Sequence, residues 1–476
     1  MERIWIKDIK HEEGELVSLS GWVATRRDHG NIIFIDLKDK SGLIQVVFSK
    51  SDGEAYDIAN ELRPSWVINL EGTVHLRPEK NKNVKLATGD IEISAQKLSI
   101  YSKADTLPID IDSSGYDINE NLRLKYRYLD LRRERLQKNL QVRHEFMLFV
   151  RNYLSQKGFT EIETPNLTRS TPEGARDYLV PARISPGNFY ALPQSPQQYK
   201  QLLMVAQIER YFQFARCFRD EDARGDRQPE FTQLDIETSF WDSNQILDLI
   251  EKMIVGYVKT YLPEKHILQI PFPRIEYTEA MEKYHSDKPD IRQNKEDNNE
   301  LAFAFIVNFP MFEWKESEKR WDAVHHPFTR PKFLEGETVS ELIARMTEHP
   351  ESVVADQYDL ALNGFEAGGG SLRTYQPELL EKIFEIMGNS QASIEEKFGH
   401  LLEAFKYGVP PHGGIALGVD RLIAIFQNEP NIRETIAFPK NGEGFDPLMN
   451  SPASVDKAQI KELGIEINTI KNNSKK

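Results

Sequence analysis

The sequence predicts an α+β protein in which a small N-terminal β-barrel of OB type leads into an antiparallel sheet flanked by helices. Two observations carry this. Five short apolar or alternating runs, mostly separated by turn residues, occupy the first stretch of about 100 residues. Beyond them, strand-like and helical segments mix without the regular alternation of a parallel α/β fold. The 476 residues give room for roughly three domains of about 150 residues each, with a core that needs no disulfide or structural metal. The single cysteine, Cys217, excludes a disulfide framework and a cysteine zinc cluster, and fits a reducing cytosol. The first residues lack the apolar core of a signal peptide, and no run approaches the roughly 18 apolar residues of a membrane span. The expectation is a cytoplasmic protein with no membrane contact. Acidic residues outnumber basic ones by 74 to 60, which argues against indiscriminate nucleic-acid coating but leaves a local basic face open.

The barrel strands are expected at Leu16–Ala24, Ile32–Leu37, Leu43–Phe48, Trp66–Leu76 and Ile91–Ile100. A closed five-stranded barrel is a common platform for single-stranded nucleic acid, although any small barrel or sandwich fits the same pattern. Residues Ser102 to Asn121 are polar and aperiodic and read as a linker. The segment Leu122–Arg143 carries eight Lys/Arg, opposed only by Asp130 and Glu134. It is either a solvated helix entry or a face toward a phosphate backbone. Apolar residues from Leu136 to Leu154 recur at helical spacing, and Gly158 is a C-terminal stop. Phe212–Phe218, Phe231–Phe240, Phe303–Phe309 and Tyr358–Phe365 read as strands; Ile246–Tyr261, Pro377–Met387 and Ile394–Tyr407 read as helices. The polar tail, Asn472 to Lys476, is expected to fray.

Three constellations can carry chemistry. The first, Cys217 to Phe231, is a charged loop between two strand-like runs. Its alternating arginines and carboxylates can grip a triphosphate, or form only a solvated hairpin tip with internal ion pairs. In the second, Asp359 and Glu366 can hold Mg²⁺ through oxygen ligands. Seven residues apart, they point to opposite faces of a regular strand unless Gly364 supplies a bend. Gly368, Gly369 and Gly370 then allow close backbone approach to a ligand with Arg373 beyond, or make a glycine-rich turn before a surface arginine. In the third, Gly413 to Leu422, an apolar strand enters a helix with Arg421 at the junction, where it can stack on a base or contact phosphate. Neither the P-loop ending nor the dinucleotide fingerprint is present, which excludes a kinase or dehydrogenase on these motifs. The adjacent pair His325-His326 has poor metal-ligand spacing and suits hydrogen bonding or packing.

The ordered set resembles the class II aminoacyl-tRNA synthetases of the aspartate/asparagine/lysine subgroup, and is most similar to their bacterial-type aspartyl members. The resemblance rests on Leu124–Arg133, Thr171–Val180, Ala191–Leu203, Phe218–Phe240, His325–Thr329, Asn363–Arg373 and Gly413–Leu422, and covers nearly the whole chain. It implies an OB-type anticodon-binding domain over residues 1–103, a hinge over 104–134, a class II catalytic domain over 135–440 and a C-terminal extension over 441–476. It also implies a homodimer with Pro165 near its interface. The large inserted domain usual in bacterial members is reduced here to about 15 residues, Ile291 to Phe305. The implied reaction joins L-aspartate to ATP, giving aspartyl-adenylate and pyrophosphate, and then transfers the aspartyl group to the 3′-OH of tRNA.

By this resemblance Arg219, Arg421 and Glu366 are the catalytic residues. Arg219, Asp220, Glu221, Gln228, Glu366, Gly418, Val419, Asp420 and Arg421 face ATP, and Asp359 with Glu366 holds Mg²⁺. Aspartate is held by Glu173, Gln197, Lys200, Arg219, Asp235, His325 and Arg373, with Lys200 and Arg373 reading the side-chain carboxylate. Arg27, His29, Phe34 and Gln45 face the anticodon; without the family context they are ordinary barrel residues. His29 after the Arg-Asp pair resembles members that charge both tRNA(Asp) and tRNA(Asn), a route that needs an amidotransferase partner. The competing readings are an asparaginyl-tRNA synthetase, a non-enzymatic RNA-binding paralogue and a tRNA-independent asparagine synthetase. The paired cations argue against the first, the retained arginines and carboxylates against the second, and the full barrel against the third.

Overall fold

The computed structural model describes residues 1–170, 174–222 and 225–467. The chain forms two compact units, Met1–Asp110 and Ile111–Lys476.

In the first unit five strands, β1 (Leu16–His29), β2 (Ile32–Lys38), β3 (Leu43–Ser49), β4 (Val67–Leu76) and β5 (Ile91–Ser102), close into a barrel of order β1-β2-β3-β5-β4. The alternation in β2 and β3 sends Ile33, Ile35, Leu37, Ile44, Val46 and Phe48 inward and their neighbours outward. β1 extends past the expected Ala24 because Arg26 to His29 still pair with β2. A helix, α1 (Glu54–Glu61), follows β3 and is not legible in the sequence. It buries only Ala55 and Ala59, too little apolar surface to give a helical period.

The second unit is built on an eight-stranded sheet. Its strands are β6 (Thr160–Glu161), β7 (Arg210–Phe218), β8 (Glu230–Ser239), β9 (Arg274–Glu276), β10 (Phe303–Val307), β11 (Gln357–Leu362), β12 (Phe365–Leu372) and β13 (His412–Gly418), in the order β9-β10-β11-β12-β13-β8-β7-β6. The six inner strands are antiparallel as expected, but each outermost strand pairs parallel with its neighbour, so the sheet is mixed. One face is covered by α2 (Glu134–Gln156) and α4 (Ser243–Tyr261), which pack Phe146, Val150, Ile250, Ile254 and Tyr257 against Phe212, Leu234, Ile236, Phe303, Phe305, Ile415 and Leu417. Helix α2 ends at Gly158, whose φ of 79° only glycine adopts cheaply. Because side chains alternate along a strand, burying Leu234 and Ile236 on this face turns Gln233, Asp235 and Glu237 to the other.

Two sequence expectations are corrected. Tyr358–Phe365 is not one strand: Tyr358 to Leu362 lie in β11, Asn363 (φ 50°) and Gly364 (φ 86°) make the hairpin turn, and Phe365 opens β12. That reversal, with a register shift at Leu360/Ala361, brings Asp359 and Glu366 together from opposite arms. The basic segment is neither a solvated face nor a phosphate face at its core. Arg123, Arg127 and Arg133 are buried and converge on the fully buried Asp130 at 3.0, 2.7 and 2.6 Å.

Candidate active site

The sheet face opposite α2 and α4 opens into a cavity of about 320 Å³. Its closed end stands on β8, β12 and the helix α3 (Gln197–Val205). Lys200 on α3 donates to Asp235 Oδ1 at 2.9 Å and lies 3.4 Å from Glu237. Arg373, just beyond β12, grips Glu237 with both arms of its fork, Nε to Oε1 at 2.9 Å and Nη2 to Oε2 at 3.1 Å. Its Nη1 contacts Ser371 Oγ at 2.8 Å and His326 Nε2 at 2.6 Å. All four charged groups are at most 2 % exposed. Burial would raise the Glu237 carboxyl, but Arg373 and Lys200 outweigh it and hold it below the usual carboxylate range. Desolvation within the cleft and then Arg373, Arg219 and Lys200 push His325 down, and its ring opens onto the cavity. One carboxylate oxygen, Asp235 Oδ2, is buried with no hydrogen-bond partner among the described residues, an acceptor placed for a ligand's N–H.

Glycines make this packing possible. A side chain on Gly414 would collide with the Glu237 carboxylate, and a Cβ on Gly369 would stand 2.8 Å from Asp359 Oδ1 and 3.3 Å from His325. The three glycines are therefore strand positions, not a turn, and Arg373 is not a surface residue.

The open end is formed by the β7–β8 hairpin and the β13 to α7 (Val419–Phe426) junction. Arg219 lies over the Phe231 ring at 5.1 Å. Arg421 donates to the Glu366 carbonyl and to Asp226 Oδ2, the latter at 3.1 Å. Gln228 is oriented by the Lys440 N–H, which donates to its Oε1 at 2.9 Å. Glu221 pairs with Arg227 at 2.9 Å.

Of the residues singled out in the sequence, Gln197, Lys200, Arg219, Glu221, Gln228, Asp235, His325, Glu366, Arg373, Gly418, Asp420 and Arg421 line one cavity. Asp220, Val419 and Asp359 are not on its wall: Val419 is in the core, and Asp359 stands behind Gly369. The Asp420 carboxylate accepts from Arg143 and from the Thr232 N–H at 2.9 Å. Glu173 lies outside the described residues. Sequence reasoning gave no site role to Glu237 or Ser371, held Asp226 only as part of the charged Cys217–Phe231 loop, and read His326 as hydrogen bonding or packing, which its contact with Arg373 fits. Glu237 had a signal, since it follows Asp235 by two residues and shares its strand face.

Burial and then Glu366 raise Asp359 well above the ordinary carboxyl range. Two neighbouring carboxyl groups that disfavour each other's charge offer oxygen donors that fit a hard divalent cation.

On the barrel, His29, Arg27, Phe34 and Gln45 gather on the outer face of β1–β3. Arg27 donates to Asp36 at 2.9 Å and Gln45 at 3.3 Å, and His29 meets the Phe34 ring edge-on at 5.6 Å.

A family model described as tRNA synthetases class II (D, K and N) matches residues 119–442, and one described as OB-fold nucleic acid binding domain matches 17–101. An aspartate–tRNA(Asp/Asn) ligase of Dehalococcoides mccartyi is 39 % identical, covering 96 % of this chain and 98 % of its own. An aspartate–tRNA ligase of Listeria monocytogenes is 40 % identical, covering 95 % and 96 %. The asparaginyl-tRNA synthetase of Pyrococcus horikoshii, solved with asparaginyl-adenylate, superimposes with a TM-score of 0.74 at 22 % identity, covering 92 % of this chain and 98 % of that one. No helix among the described residues is long and apolar enough to cross a membrane.

Proposed function

The chain belongs to the class II tRNA synthetases of the D, K and N group, and from that premise we propose that it is an aspartate–tRNA ligase. The observation that carries the amino-acid assignment is the closed end of the cavity, where Lys200 and Arg373 are buried side by side over Asp235 and Glu237. A substrate carboxylate there accepts from two fixed donors, whereas the NH₂ of the isosteric amide would turn a donor toward Lys200 and Arg373. A site that reads a polar group in this way discriminates by about 10⁴–10⁵ without editing.

The attacking α-carboxylate is ionised at neutral pH, so activation needs no general base. It needs alignment and neutralisation of charge on the phosphates. Arg219, between the two ends, bridges the α-phosphate and the amino-acid carboxylate. Arg421 serves the γ-phosphate and adenine side, and Glu221 and Gln228 face adenosine. Asp359 and Glu366 hold Mg²⁺, which supplies further charge neutralisation at the phosphates. Asp235 and Gln197 serve the substrate ammonium group, a role the family resemblance also gives to Glu173. The second step delivers the aspartyl group to a tRNA whose anticodon lies on the Arg27, Phe34 and Gln45 face.

The proposal extends to tRNA(Asn) as a second acceptor, supported by His29 beside Phe34 and by the dual name of the Dehalococcoides relative. That relative aligns over 592 positions against 476 residues here, so it holds segments this chain lacks; this fits a reduced insertion near 291–305. The protein is expected to act as a homodimer in the cytoplasm, feeding an amidotransferase with Asp-tRNA(Asn). Aspartylation of tRNA(Asp) and tRNA(Asn) transcripts, measured side by side, tests both parts. Charging of both supports the dual reading, tRNA(Asp) alone restricts it, and asparagine-dependent activity overturns it.

A further inference from the structure

We infer that Glu434, outside the cavity, is a positioning residue that sets the nucleotide-facing end of the site, and that the arginines of residues 123–135 exist largely to hold it. The inference rests on the reading of that end as the ATP site. The short segment after α7, Ile432–Thr435, touches the site at two places. The Ile432 N–H donates to the Gly225 carbonyl at 3.1 Å, at the tip of the β7–β8 hairpin, and Ile432 itself lines the cavity. The Thr435 hydroxyl lies 3.2 Å from the Asp420 carbonyl and 2.9 Å from the Ile432 carbonyl, its one proton shared between them. The residues next to these two contact points, Asp226 and Arg421, are the pair that meets across the open end at 3.1 Å.

The segment has no sheet or long helix of its own to fix it. Its anchor is Glu434, 4 % exposed, whose oxygens take Arg123 Nη1 at 3.1 Å, Arg123 Nη2 at 2.7 Å and Arg135 Nη2 at 3.0 Å. Asn139 on α2 donates to its backbone carbonyl at 3.1 Å. Arg127 spans the same segment from the other side, reaching the carbonyls of Arg433, Ile436 and Ala437 at 2.8–2.9 Å. Asp130 orients Arg123 and Arg127 from beneath, which is why it is buried among three arginines. Losing one anchor of a bidentate buried pair displaces the segment rather than removing any group that touches substrate, and small displacements of positioning groups are costly.

The test is aspartate-dependent ATP–pyrophosphate exchange in the full-length protein. An inactive wild type would sink the functional reading itself, independently of this inference. With an active wild type, Glu434→Gln is expected to raise the KM for ATP by about 10-fold while moving the KM for aspartate less than about 2-fold; Glu434→Asp should recover part of the loss. Thr435→Val, which keeps shape and removes only the hydroxyl, decides the matter if Glu434→Gln does not fold. It should raise the KM for ATP by about 3-fold with an unchanged melting temperature. Equal loss toward both substrates, or no change in the KM for ATP in a folded variant, would overturn the inference.

Discussion

The two ends of the cavity are built on opposite principles. At the closed end Lys200, Arg373, Asp235 and Glu237 stand on α3, β8 and the end of β12, at most 2 % exposed, and hold one another before any ligand arrives. At the open end Arg219, Glu221, Asp226 and Arg227 sit in or beside a hairpin tip, half-buried or exposed, and their positions depend on loops and on the Ile432–Thr435 segment. Rigid charge pairing suits discrimination between aspartate and asparagine, which differ by one atom type. A hairpin suits a nucleotide that must enter, react and leave as two products. The difference teaches that, on the proposed function, selectivity belongs to the sheet and turnover to its periphery.

The sharpest way to break that comparison is Arg373→Leu. Loss of at least about 10³-fold in aspartate-dependent exchange is expected, with a stability loss of about 3–5 kcal/mol because Glu237 is left buried beside Lys200 alone. Pairing it with Glu237→Leu should restore much of the melting temperature without restoring exchange. Recovery of exchange in the double variant would show that the closed end is a structural pair only.

A middle-sized effect is expected at Asp359, which belongs to neither end but backs the cavity behind Gly369. Its carboxyl is raised in the folded chain by burial and Glu366, so folded-state stability falls as pH rises from its ordinary value of about 3.8 toward the raised one. At neutral pH this carboxyl therefore lowers the stability of the metal-free protein, because its ionised form is disfavoured in the folded chain. Asp359→Asn should raise the metal-free melting temperature and raise the Mg²⁺ concentration needed for exchange by about 10-fold. A lower melting temperature would contradict the uncompensated-carboxylate account.

The smallest effect belongs to the open end. Glu221 and Arg227 pair at 2.9 Å with side chains 33 % and 47 % exposed. Removing this pair with Arg227→Ala should change stability by less than about 1 kcal/mol in chemical denaturation. A loss as large as that at Arg373 would erase the contrast between the ends.

The sequence by itself determined the elements that bury apolar side chains at a clear period. The five barrel strands, the helices starting near Leu136, Ile246 and Pro377, and the strands at Phe212 and Phe231 declare themselves because each must hide one face. The arginine and carboxylate alternation around Arg219 and the glycines before Arg373 marked part of the cavity wall, while Gln197, Lys200 and Asp235 were reached only through the family resemblance. What only the tertiary structure decided is which charges are neutralised by which. Nothing near Arg123 in the chain announces Glu434, 311 residues away, and nothing near Lys200 announces Glu237. Asp359 and Glu366 met only because a two-residue turn folded their strand back. Apolar burial is one-sided and leaves a periodic trace in a single segment, whereas charge pairing is a relation between two segments and becomes definite only when the fold brings both to one place.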